Sequence, residues 1–119
     1  MRIDEKDIER RFAKQIREMG GFCIKMSWLL HIPDRLVLLP GAVIEFLEFK
    51  KPGGQVTKGQ KARIAQLKEM GFKARIIENE LQSNCALTRL SKASSKACAA
   101  RKRKRAVPGD GPGEDADDT

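Results

Sequence analysis

Asp34, Glu48 and Lys50 are the residues whose types and spacing could do chemistry. Two carboxylates supply hard oxygen ligands for a divalent cation, and a compact ammonium beside them can steady a phosphate oxygen or orient a water. That combination suits metal-assisted cleavage of a phosphodiester, with an acidified water attacking while charge on the phosphorus oxygens is offset. Without a cation, neighbouring carboxylates would repel a polyanion, so the reading requires Mg²⁺ or Mn²⁺.

Each of these residues ends an apolar run. Ile32-Pro33-Asp34 opens one, Glu48-Phe49-Lys50 closes the next, and "RLVLLPGAVIEFL" between them reads as two strands joined at Pro40-Gly41. Alternate strand side chains share a face, so Glu48 and Lys50 point together and Phe49 points away, its backbone carbonyl still available to a metal. Register decides whether Asp34 joins them. A two-residue turn of Pro40 and Gly41 sets position 34 opposite 47 and sends Glu48 to the other face. A turn that takes in Ala42, or a one-residue bulge, sets 34 opposite 48. A shared site therefore requires an odd-length connection.

The elements that must position these strands follow from periodicity. Ile8, Phe12, Ile16 and Met19 form one apolar stripe, predicting a helix over Asp4 to Met19 that Gly20-Gly21 stops. Phe22 to Met26 is a short strand. Arg35–Leu39 and Val43–Phe49 are near-continuous apolar strands, which implies burial on both faces for much of their length. After a Pro/Gly loop, Thr57-Lys58-Gly59-Gln60 matches a capping box and starts a second helix, which Gly71 ends; Lys73 to Ile77 is a further strand. The order helix, three strands, helix, strand describes a small α/β domain over residues 1–82. Residues 83–119 show weak signals, a Ser/Ala/Lys tract and then an acidic low-complexity end, and are expected to form a disordered tail.

Charge is unevenly spread within a net +8. Residues 1–82 carry 16 basic and 11 acidic side chains, residues 83–107 carry 8 basic and no acidic ones, and residues 108–119 carry 5 acidic and no basic ones. A basic body with a basic extension favours a polyanion such as DNA, through counterion release. Arg101-Lys102-Arg103-Lys104-Arg105 is read as a disordered arm tethering the chain to DNA, with a nuclear-import signal as the alternative. Cys23, Cys85 and Cys98 are odd in number and widely spaced, which argues against disulfides and zinc and for a reducing cytosol. No apolar run approaches the roughly 20 residues of a membrane span. Trp28-Leu29-Leu30 is expected to bury under the sheet, Glu45 has parity opposite to Glu48 and reads as structural, and His31 reads as a loop residue next to the site.

The segment "IPDRLVLLPGAVIEFLEFKKPGGQVTKGQ" resembles the core of the VRR-NUC nucleases, a branch of the PD-(D/E)XK superfamily. Their pattern is roughly G-x-P-D-R, two strands, E-x-K, a Gly/Pro loop and a helix carrying Gln. The resemblance spans about residues 4–78 and implies a restriction-endonuclease-like core with a central mixed sheet flanked by helices. It implies metal carboxylates at Asp34 and Glu48, a catalytic lysine at Lys50, the helix glutamine at Gln60, and an N-terminal metal glutamate at Glu9, with Glu5 as its rival. It also implies a homodimer acting on branched DNA such as four-way junctions. Two positions depart from the pattern: His31 stands where the family usually has Gly, and the preceding "SWLL" is apolar where relatives are commonly polar and basic. A non-catalytic DNA- or junction-binding protein that keeps the fold is the second hypothesis, and a protein-interaction module whose charge serves solubility is a third.

Overall fold

Ile8, Phe12 and Ile16 recur every four residues, and the segment carrying them folds as α1 (Glu5–Glu18) with those side chains buried. The Asp4 side chain accepts the Asp7 amide at 3.1 Å and caps the helix start. Gly20, at φ 90°, ends it in a left-handed conformation that a side chain would disfavour. The computed structural model describes residues 4–27 and 29–105. Strands β1 (Phe22–Lys25), β2 (Arg35–Leu39) and β3 (Val43–Phe49) follow, then α2 (Lys58–Glu69), β4 (Lys73–Ile77) and α3 (Glu80–Arg105).

The sheet is mixed, in the order β1-β2-β3-β4. The first two pairings are antiparallel and β3 runs parallel to β4, α2 being the crossover that a parallel pair requires. One face presents Val37, Leu39, Leu47, Phe49 and Ile77 to Ile8, Phe12 and Ile16 of α1 and to Ala86, Leu87 and Leu90 of α3, and these make the core. Phe12 and Phe49 meet edge to face at its centre, with ring centroids 5.4 Å apart.

The other face departs from the expectation of burial on both sides. Phe22, Leu38 and Ile44 lie in one cross-strand row, and Ile24, Leu36 and Phe46 in the next. Helix α2 covers only the β4 side of this face, where Phe72 packs edge-on against Phe46. Leu36 and Phe46 line a hollow with Met26, Leu29, Ile32 and Leu67. Phe22 remains 65% exposed, and Ile24 and Ile44 are also open to solvent. A single helix is about 10–12 Å across, narrower than the roughly 14 Å that four strands span, so α2 leaves the β1 side open. Leu30 is exposed rather than buried, and Trp28 lies outside the described residues.

A second correction concerns residues 83–105, which were expected to be disordered. They belong to α3, and the folded unit therefore runs past residue 82. Apart from Leu87 and Leu90, the anchors of this helix are small or polar, so they carry little periodic signal. Ser94 donates to the Pro40 carbonyl at 2.6 Å, and Arg89 donates through both terminal nitrogens to Glu45 at 2.6 and 2.7 Å. Glu45 is 0% exposed on β3, and Arg75 of β4 adds a contact at 3.3 Å. The tail expected over residues 106–119 lies outside the described residues.

Without Arg89 the buried Glu45 carboxylate loses its bidentate partner and keeps only the longer contact to the half-exposed Arg75. Arg89→Met should lower unfolding free energy by about 3 kcal/mol in urea denaturation, and Glu45→Leu combined with Arg89→Leu should recover most of that loss.

Candidate active site

Leu39 pairs with Val43, which leaves Pro40, Gly41 and Ala42 as a three-residue turn. Gly41 at φ 92° and Ala42 at φ 62° are both left-handed, so two successive residues of this turn take positive φ. The odd length carries the register on to place position 34 opposite 48, and the Asp34 amide donates to Glu48 Oε1 at 3.0 Å. The strand ends are pinned on either side: Met26 donates to the Asp34 carbonyl at 2.8 Å, and Lys50 donates to the Ile77 carbonyl at 2.8 Å.

Glu48 is nearly buried and gathers three partners. Besides the Asp34 amide, Gln60 Nε2 donates to its Oε2 at 3.2 Å, and Lys50 Nζ lies 3.4 Å from the same oxygen. Gln60 makes its capping contact and a contact to Glu48 at once, because its Oε1 accepts the Thr57 amide at 3.1 Å while its amide nitrogen holds Glu48. Thr57 Oγ1 accepts the Gln60 amide in return at 3.1 Å and completes the capping box.

Asp34 is held differently. Its Oδ1 is buried with no hydrogen-bond partner. Burial pushes the carboxyl up to a pKa of about 7, and the negative charges of Glu48 and then Glu9 push the same way; the Phe49 backbone amide and Arg35 oppose them less strongly. A carboxyl in this state lacks a cationic partner. An orphaned oxygen facing a second carboxylate, with an ammonium alongside, fits a divalent cation. Among the described residues no three His, Cys, Asp or Glu side chains come together as a metal cluster, so an ion here would depend on Asp34, Glu48, the Phe49 carbonyl and water.

Glu9 does not join that pair. Arg35 Nε binds its carboxylate at 2.5 Å and also donates through Nη1 to the Cys23 carbonyl at 3.1 Å. Arg35 has parity opposite to Asp34 along the strand and turns to α1, where it binds Glu9. Glu5, Glu9 and Asp34 share a cavity of about 790 Å³ whose rim includes Arg17, Lys25 and Lys51. That basic rim was missed from sequence, because its members come from α1, β1 and a loop far apart in the chain. The Arg35–Glu9 tie left one signal, the opposed parity of neighbouring Asp34 and Arg35.

His31 adopts φ 64°, the left-handed region that favours glycine, which accounts for the Gly usual at that position in the resembled pattern. Its ring occupies the space where a Cβ on Gly59 would sit, so the loop before β2 rests on the first turn of α2. Cys23 is an inert thiol, its pKa pushed to about 11 chiefly by burial.

No protein-family model matches the chain. It is 32% identical over 80 residues to a protein described as "Putative nuclease p44" from Acyrthosiphon pisum secondary endosymbiont phage 1, covering 66% of this chain and 86% of that one. A solved structure described as "VRR_NUC domain" superposes with a TM-score of 0.66 at 22% identity, over 71% of this chain and 94% of the other.

The Asp34 shift has a definite sign. Between about pH 4 and 7 the folded protein retains a proton that the unfolded chain has released, so this group makes stability fall as pH rises through that window. In EDTA, thermal denaturation should show wild type losing stability relative to Asp34→Asn from pH 4.5 to 7.5. Calorimetry at pH 6 in buffers of different ionisation enthalpy should show a proton released when Mg²⁺ is added.

Proposed function

Because this chain belongs to the VRR-NUC nuclease family, we propose that it is a DNA endonuclease hydrolysing phosphodiester bonds with a divalent cation, Mg²⁺ or Mn²⁺, as cofactor. The observation that carries this reading is the orphaned Asp34 oxygen opposite Glu48, with Lys50 within 3.4 Å of the Glu48 carboxylate. Asp34, Glu48 and the Phe49 carbonyl are the groups that would hold the cation. Glu9 is a metal ligand in the resembled family, but here Arg35 holds it, so its proposed role is to balance charge at the cavity wall. When bound, the cation supplies an acidified water and offsets charge on the phosphorus oxygens.

The protein's own groups do the remaining work. Gln60 and the Asp34 amide fix the Glu48 carboxylate from two sides, so its orientation is set before substrate arrives. Lys50 shares the strand face of Glu48 and can hold a non-bridging phosphate oxygen or direct the attacking water. Arg17, Lys25 and Lys51 at the cavity rim attract the DNA backbone toward the carboxylates.

We further propose a homodimer acting on branched DNA in the cytosol. The resemblance supports branched substrates, and the exposed apolar residues Phe22, Ile24 and Ile44 on the α2 face, together with the edge strand β1, support self-association. The three free cysteines suit a reducing compartment. Among the described residues no helix is long and apolar enough to cross a membrane.

Incubation with four-way-junction, flap and linear DNA in Mg²⁺, Mn²⁺ or EDTA tests the activity. Cutting should require the metal, and Asp34→Asn or Lys50→Ala should lower the rate at least about 100-fold while leaving the fold intact by circular dichroism. Metal-independent binding with no cutting of any substrate would instead identify a non-catalytic junction binder. Sedimentation should report a dimer for the wild-type chain, and Ile24→Asp should convert it to a monomer.

A further inference from the structure

Helix α3 runs the length of the sheet in the direction opposite to β3. It starts beside the end of β4, where Ile77 pairs with Phe49 at the catalytic end. At mid-strand Arg89 binds Glu45, and a little further on Ser94 binds the Pro40 carbonyl and Ala97 packs against Gly41. Those last contacts lie at the β2–β3 turn, the end of the sheet farthest from Asp34 and Glu48. The helix then continues to Arg105, with Ala99, Ala100, Arg101 and Lys102 all exposed.

That free end is strongly charged. After Glu80 the helix carries no acidic residue, and Lys96 is followed by five consecutive basic residues from Arg101 to Arg105. Cations near a helix C-terminus favour its dipole, but that effect is confined to the last turn. Arg101 and Lys102 are exposed, and the run of five basic residues concentrates positive charge that a bound polyanion neutralises. Chain geometry sets the reach. The span from Asp34 to the turn is about 20 Å at ~3.3 Å per strand residue. The helix beyond Ala97 adds about 12 Å at ~1.5 Å per residue.

We propose that the C-terminal turns of α3 are a second DNA-backbone contact, about 30 Å from the catalytic carboxylates, that grips the duplex some nine base pairs from the cut. This rests on the nuclease reading for its partner and deepens it by assigning a footprint. The contact is helical and held by Ser94 and Arg89, so it acts at a fixed distance and not as a loose tether. Its members carry charge without a base-reading pattern, so the contact is to phosphates and independent of sequence.

Fluorescence anisotropy in EDTA with duplexes of 8, 12, 16 and 24 base pairs, over a range of salt, tests it. For the 16- and 24-base-pair duplexes, Arg101→Glu combined with Lys102→Glu should weaken binding about 10-fold or more. The slope of log affinity against log salt should fall by about 2, since each phosphate contact contributes roughly 0.9. On the 8-base-pair duplex the variant and wild type should bind alike. The Arg101→Gln, Lys102→Gln pair should show the same length dependence with a smaller loss, and circular dichroism confirms that either variant keeps its helix. Equal salt slopes on the long duplexes, or a loss of equal size on every length, would overturn the proposal. So would unchanged DNA binding with lost adhesion to phosphatidylserine vesicles. These titrations need binding alone, so they decide the matter even if the protein cuts no DNA.

Discussion

One extra residue in a turn organises this molecule. Pro40, Gly41 and Ala42 form a connection of odd length, and with side chains alternating along each strand that parity puts Asp34 and Glu48 on the same face of the sheet. A connection one residue shorter would send the two carboxylates to opposite faces. The turn is in turn fastened by α3, through the Ser94 hydroxyl on the Pro40 carbonyl and Ala97 against Gly41. The register at the Asp34–Glu48 end thus depends on contacts made at the other end of the same two strands.

The sheet also keeps two sets of charge apart. On the α3 face, Glu45 is buried but fully compensated by Arg89 and Arg75. On the α2 face, Glu48 has Lys50 and Gln60, whereas Asp34 is left under-compensated next to it. Both faces bury acids in an apolar setting, yet only one is electrostatically complete. A folded protein retains such a deficit where something else is meant to supply the missing charge. The neighbouring pair Asp34 and Arg35 joins these charge sets, since Asp34 lies opposite Glu48 while Arg35 binds Glu9 on α1.

Much of the fold was legible because its elements have strong periodic signals. The stripe of Ile8, Phe12 and Ile16, the apolar runs of β2 and β3, and the Thr57 to Gln60 capping box each carry a local pattern that tertiary packing does not override. The requirement for an odd turn also followed from parity alone. Helix α3 escaped because Ser83, Ala86, Ser94 and Ala97 face the body with small side chains, and because Arg89 is held by a partner 44 positions away. The basic cavity rim and the capture of Glu9 by Arg35 are likewise products of distant residues meeting, which no local window contains. The half-covered sheet was misread because continuous apolar strands look alike whether or not a helix lies over them.

The double engagement of Gln60 has a consequence for motion. One side-chain amide both nucleates α2 and clamps Glu48, so fraying of the first helical turn and loosening of the carboxylate are a single event. Amide hydrogen exchange at Thr57 and Gln60 therefore reports the steadiness of a side chain on another element. Any ligand that tightens Glu48 will slow that exchange by the same free energy, which makes the beginning of α2 a built-in gauge of occupancy at the carboxylates.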